Sequence, residues 1–302
     1  MGKEIREETC YSNEFIRFSN AFKPLNDFET DLFLFICSKA KENYTNNNWE
    51  EEFEIDMADF LNKSNRKKRW SKYNAEEREE IILRIKDLQN KSFQIYLDKY
   101  KVVDNLKKND WEEYMSFSYV SFIHYYRSTK QIKLIMPKKT REFLCNNETN
   151  FTPLKLKYLY RLKSKHTKIL YMYFRSFIEN TDSEIHGSSK NIVGLKELLQ
   201  LEDKYSRWID FKRYILLPAI REINKNTDIF ITGYREEMQK QLDGRNFKEL
   251  NEDVQLRILV DSMCVKGSSG KAIKKIQFHV LDKNSDVYKK YYAPEEAEQK
   301  AS

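Results

Sequence analysis

Cysteine, glycine, proline and long apolar runs are all scarce in this sequence. Its four cysteines, Cys10, Cys37, Cys145 and Cys264, are scattered with no short pairing. That spacing excludes a metal knuckle and a disulfide framework, and it points to a reducing cytoplasm. With 7 glycines and 5 prolines in 302 residues, collagen-like and low-complexity readings fall away as well. The longest apolar run, "LFLFIC" at 32–37, is far too short to span a bilayer, and no secretory h-region is present. No membrane partner is therefore expected. Histidine is equally sparse: His124, His166, His186 and His279 stand alone, without a His-x-His pair to hold a metal.

What the chain does have is 40% apolar and 33% charged residues, the composition of a folded protein with a polar surface. Its length accommodates two domains, each with its own core. The formal net charge of +7 is modest, so its location matters more than its size. In the first half, "NDFETDLFLFICSKAKE" opens with Asn26 and Glu29 at capping-box spacing, and Phe28, Leu32, Phe35 and Ile36 follow at helical intervals. "FEIDMADFLN" reads as a short strand and helix. "AEEREEIILRIKDLQNK" places Ile81, Ile85 and Leu88 on one helical face. "SFQIYL", "MSFSYVSFIHYY" and "KQIKLIMP" are β-branched and aromatic strands. Three helices and then a strand ribbon is the order of a winged helix.

The second half repeats that order. After a linker "NNETNF", Thr152-Pro153 suits an N-cap and first helical position, and "SKHTKILYMYFRSFIE" restarts a helix at Ser164 with Ile169, Tyr173 and Phe177 on one face. "VGLKELLQL" is a short helix. "YSRWIDFKRYILLPAIREIN" is a third, with Phe211, Ile215, Ala219 and Ile223 as its buried stripe and Pro218 bending it. "TDIFITGY" should pair with "IKKIQFHVLD" at 273–282, the polar insertion 235–270 between them forming a long wing, and residues 284–302 a flexible tail. The fold class expected is α+β, mainly helical, with two tandem winged-helix domains at 1–148 and 149–283.

Tyr205, Ser206, Arg207, Lys212 and Arg213 leave the buried stripe near the start of the third helix. In a helix-turn-helix these positions reach base edges in the major groove, where Arg bonds guanine O6 and N7. A solvated charged face accounts for the same residues. Residues 149–178 contain no Asp or Glu but carry Lys163, Lys165 and Lys168, a one-sidedness that suits phosphates. Arg66, Lys67, Lys68 and Arg69 in "NRKKRW" could grip phosphates above Trp70, or form a surface loop. "KGSSGKA" at 266–272 misses the phosphate-loop pattern, because two residues instead of four separate Gly267 from Gly270 and Ala272 replaces the hydroxyl. As a wing tip it could still bring Lys271 and Lys274 to phosphates.

Leu162-Lys163-Ser164-Lys165, Leu170-Tyr171, Phe211-Lys212-Arg213, Pro218-Ala219-Ile220 and Glu222-Ile223-Asn224, ending in Thr227-Asp228, resemble the iteron-binding plasmid replication initiators in order and spacing. The resemblance implies a sequence-specific protein of double-stranded DNA that binds direct repeats at a plasmid origin. It further implies that the protein helps open an adjacent A·T-rich stretch and recruits the host replication initiator and replicative helicase. The C-terminal domain would read bases through its third helix. The N-terminal domain would add backbone contacts and a homodimer surface used in autorepression. No catalysis, metal or cofactor is expected. A winged-helix repressor without initiator role is the nearest alternative, since fold does not determine function. A metal-dependent nickase using Tyr125 or Tyr126 beside His124 lacks its ligands.

Overall fold

The computed structural model describes residues 8–12, 16, 21–45, 52–64, 70–98, 101–102, 113–126, 131–145, 151–178, 185–267 and 273–293. Arg66, Lys67, Lys68, Arg69, Lys271, the linker 146–150 and the last residues 294–302 lie outside that set. The chain divides into two units, Met1–Lys165 and His166–Ser302, so the division falls later than the 148/149 boundary expected.

In the first unit, strand β1 (Glu8–Ser12) precedes helix α1 (Asp27–Thr45). The capping box forms as the sequence indicates, Asn26 N donating to Glu29 Oε2 at 2.9 Å and Glu29 N to Asn26 Oδ1 at 3.0 Å. The helix is buried all round from Leu32 to Cys37, which is why a run of six apolar residues serves a helix here and not a strand. There follow β2 (Glu52–Ile55), α2 (Met57–Lys63) and α3 (Ala75–Asp87), the last with its own Asn74–Glu77 capping box. Ile81, Ile85 and Leu88 are buried as read from the sequence.

Strands β3 (Ser92–Asp98), β4 (Lys101–Val102) and β5 (Glu113–Ser118) form one antiparallel sheet in the order β4-β3-β5. Strands β6 (Phe122–Tyr126) and β7 (Gln131–Ile135) join β2 in another, in the order β2-β7-β6. The aromatic stretch 113–126 is thus two strands, broken where buried Tyr119 packs edge-on to Phe33 at 4.8 Å and its hydroxyl donates to Ala21 O. Helix α4 (Lys138–Cys145) leads on to β8 (Phe151–Lys155). The expected helix start at Thr152-Pro153 is instead this strand, paired antiparallel with β1 so that Cys10 lies opposite Pro153. Proline tolerates a strand in a two-stranded ribbon as well as a first helical turn, and here the distant partner decides. A single helical turn, α5 (Leu156–Leu159), then buries Leu156 and Leu159.

The second unit is built around α6 (Lys165–Arg175), whose residues Thr167 to Phe174 are all buried. Phe174 and Tyr173 meet Phe278 at 4.6 and 6.1 Å. Strand β9 (His186–Asn191) precedes α7 (Ile192–Leu198). After a turn comes α8 (Trp208–Phe211), a π-helical turn Lys212–Leu216, and α9 (Leu217–Asn226) in unbroken succession. Strand β10 (Ile229–Thr232) pairs with Thr232 opposite His279 and Ile229 opposite Asp282, the strand partner anticipated.

The long wing expected over 235–270 is mostly helical in its described residues, 235–267. They form α10 (Arg235–Leu242) and α11 (Glu252–Met263), then β11 (Cys264–Lys266). The Asn251 cap starts α11, and Leu256, Leu259, Val260 and Met263 recur at helical spacing and are buried, so the segment belongs to the core. The wing is the hairpin of β11 with β12 (Ile273–Asp282), and β12 also pairs with β9 and β10. The expected tail contains a further helix, α12 (Asp286–Tyr291), capped by Ser285; its Tyr288, and Tyr292 just after it, pack on Phe230 at 5.2 and 4.9 Å.

Candidate nucleic-acid interface

Helix α7, the turn after it and α8 form a helix-turn-helix. Asn191 caps α7 by accepting from Gly194 N at 2.6 Å. The turn is held in a strained shape, with Gln200 at φ 60° and Tyr205 at φ 56°, each in the left-handed region that disfavours side chains. Such conformations persist where the surroundings over-determine them. Here buried Leu199 and Leu201 pin the middle of the turn, Leu201 N bonds Lys196 O at 2.8 Å, and Lys196 Nζ donates to Tyr205 O at 2.7 Å.

The helix that follows carries a register change. Pro218 has no N–H to give Tyr214 O, and immediately before it Leu217 N reaches back five residues to Lys212 O. The buried stripe makes the same step: Phe211, then Leu216 five residues on, then Ala219, Ile220 and Ile223. Ile215, where unbroken α spacing would put the next core residue, is only half-buried. Each fully buried large apolar side chain here is worth about 1.5–3 kcal/mol, enough for the core to dictate the register. The extra residue leaves Ile209 and Arg213 on one outward ridge with Tyr214 beside it.

The sequence-derived residues separate on this surface. Ser206 and Arg213 are exposed, and the Arg213 guanidinium lies 5.8 Å over the Tyr214 ring. Arg207 is 73% exposed, but it holds Asp210 in a two-point pair at 2.7 and 2.9 Å, which keeps the Asp210 carboxyl below the usual carboxylate range. Lys212 is only 14% exposed and pairs with Asp261 of α11, so it ties two helices together and does not present itself to a groove. Tyr205 is half-buried, its ring near Phe211 and Tyr214.

Among the expected phosphate contacts, Lys163 and Lys274 are exposed. Lys165 spends its donors on the backbone carbonyls of Leu25 and Phe22 at 2.7 and 3.3 Å, while its own N–H meets Asp27 Oδ1 at 2.5 Å. Lys168 is 1% exposed, inside a helix buried all round, and its ammonium is withdrawn from any ligand. The acid-free run 149–178 is therefore partly interior, and Lys157, Arg161 and Lys163 are its exposed cations. Ile209 and Tyr214, at 56% and 57% exposure, were missed by the sequence reading. The signal that would have found them is the five-residue step from Phe211 to Leu216 just before Pro218.

Among the described residues no three His, Cys, Asp or Glu side chains gather as metal ligands would, and no helix is long and apolar enough to cross a membrane. Comparison with known families matches residues 8–175 to the first winged-helix region of initiator replication proteins and 192–280 to the second. The chain belongs to the initiator Rep protein family. Both units are thus winged helices of mainly helical α+β type. The Pi initiator protein, solved in complex with iteron DNA, shares this fold at 16% identity and a TM-score of 0.54, over 93% of this chain and 99% of that one. Domains 2 and 3 of RctB align over 83% of this chain and 80% of theirs, at 14% identity and a TM-score of 0.38, too loosely to argue from. Among curated proteins no sequence matches this chain.

Proposed function

We propose that this initiator Rep protein binds direct repeats of double-stranded DNA at a plasmid origin and reads them with the helix beginning at Trp208. One observation carries the reading: the second helix of a helix-turn-helix turns Ser206 and Arg213 outward at its N-terminal end while Phe211 and Leu216 anchor it. Lys163 and Lys274, exposed on other elements, serve as sequence-independent phosphate contacts. Binding lets the protein help open an adjacent A·T-rich segment in the cytoplasm and recruit the host replication initiator and replicative helicase. A homodimer through the first unit would act at the protein's own promoter. The activity is binding, with no bond made or broken.

The test is replication itself. The DNA flanking the coding region is placed on a vector without an origin, and the protein is supplied in trans. Stable maintenance that needs both short direct repeats and the protein supports an initiator. Repeat binding and promoter repression without maintenance would leave a repressor.

A further inference from the structure

We propose that Ile209 and Tyr214 are specificity residues that contact thymine methyl groups on either side of the base read by Arg213. The proposal rests on the reading of Trp208–Asn226 as the major-groove helix and adds the chemistry of the neighbouring base pairs. Both side chains are more than half exposed, at 56% and 57%, on the helix whose opposite face packs Phe211 and Leu216 into the core. Neither belongs to the buried stripe, although the Tyr214 ring lies near that of Tyr205. Ile209 lies one helical turn before Arg213, on the same ridge. Tyr214 lies beside it, with the guanidinium 5.8 Å over its ring.

A surface meant for phosphates carries cations and hydroxyls, and an isoleucine there makes no favourable contact. The major groove is different, because thymine presents an apolar C5-methyl next to its O4 acceptor and no other standard base does so. An arginine flanked by two apolar side chains therefore matches a guanine with thymines as near neighbours on the groove floor. The Tyr214 ring has a second role, holding the guanidinium plane in place as it meets the guanine. Second-unit specificity then includes A·T pairs read through their methyls, in addition to the guanine.

The test uses full-length protein and duplexes selected from a random-sequence pool by that protein. Each thymine of the selected site is replaced in turn by deoxyuridine, which removes only the methyl. Wild-type protein should lose about fourfold in affinity at each contacted thymine. Ile209→Ala should bind the thymine and deoxyuridine duplexes equally at one such position, and Tyr214→Ala at another. Both variants should melt as wild type does. Equal wild-type affinity for every thymine and deoxyuridine pair, with Arg213→Ala still weakened, would overturn the methyl contacts and leave the helix in the groove. If Arg213→Ala also bound every duplex as wild type does, the groove reading itself would fail, and this proposal with it.

Discussion

Lys283 lies beneath the C-terminal end of the proposed reading helix, where its amine donates to Asn224 O and, at 2.7 Å, to Thr227 O. Burial pushes its ammonium down to about 8, against a smaller pull upward from Asp228. In an unfolded chain the same lysine keeps its proton to about 10.4. Between those values the unfolded state binds more protons, so raising the pH favours the folded state. A neutral amine still has two N–H groups, enough for both carbonyls. Unfolding of wild type and Lys283→Met, followed from pH 7 to 9.5, should show a difference that is flat up to about 8 and then grows in favour of wild type. Arg213 belongs to the other class of residue. Arg213→Ala should cost about 1–3 kcal/mol on a selected duplex, relax preference at one base position and leave the melting temperature unchanged. Lys163→Ala should weaken selected and scrambled duplexes alike and lower the slope of log K against log salt by about 0.9. Lys168→Ala should do the reverse, keeping the salt slope and losing about 1–3 kcal/mol of stability, because a buried polar group is removed from its partners. The exposure of Ser206 and Arg213 at a helix start was legible from residue type and distance from the core stripe. The burial of Lys168 was not, since nothing local distinguishes a lysine on a wholly buried helix from one on an exposed face.

At the level of elements, the π-turn Lys212–Leu216 has the most to say about binding. It lets Phe211 and Leu216 both reach the core although they stand five positions apart, and so sets how Arg213 and Tyr214 project. Deleting Ile215 would place those two core residues four apart, the spacing of an unbroken α-helix. The variant should fold with a cooperative melt and keep its helix content, yet lose affinity for the selected duplex because Arg213 and Tyr214 are turned away. Unchanged affinity would show that the π-turn has no part in recognition. Helix periodicity in the sequence located this helix and α1, α3, α6 and α7, each with a cap or an apolar stripe to mark it. It failed for α10 and α11, whose exposed faces are so charged that the segment read as a polar wing, although the Asn251 cap and the Leu256–Leu259–Val260–Met263 stripe were present. Gln200 is a second element-scale case. Its left-handed backbone suits glycine, so Gln200→Gly should raise stability by up to about 1 kcal/mol, as measured by chemical unfolding.

For the whole molecule, the decisive pairing joins a strand at the start of the first unit to one that lies just past the expected domain boundary. β1 near the N-terminus pairs with β8, Glu8 opposite Lys155 and Ser12 opposite Phe151, and so draws residues up to Lys165 into the first unit. No local signal carries that pairing, which is why composition and the apparent linker after Cys145 suggested an earlier boundary. Two winged helices in tandem were legible, because order of elements survives errors in their ends. The consequence for dissection is direct. A fragment starting at residue 149 would carry β8 without its partner strand, along with Leu154, Leu156 and Leu159, which are buried in the intact chain. It should be prone to aggregate through the unpaired edge. A fragment starting at Ser164 keeps α6 whole and omits that strand, and should melt cooperatively. It should bind a selected duplex more weakly than the full chain, with a shallower salt dependence, because exposed first-unit cations such as Lys163 are gone. The comparison is made on one duplex at several salt concentrations. If the fragment matched the full chain in both affinity and slope, the first unit would make no contribution to DNA binding, and its cations would be no more than a solvated surface.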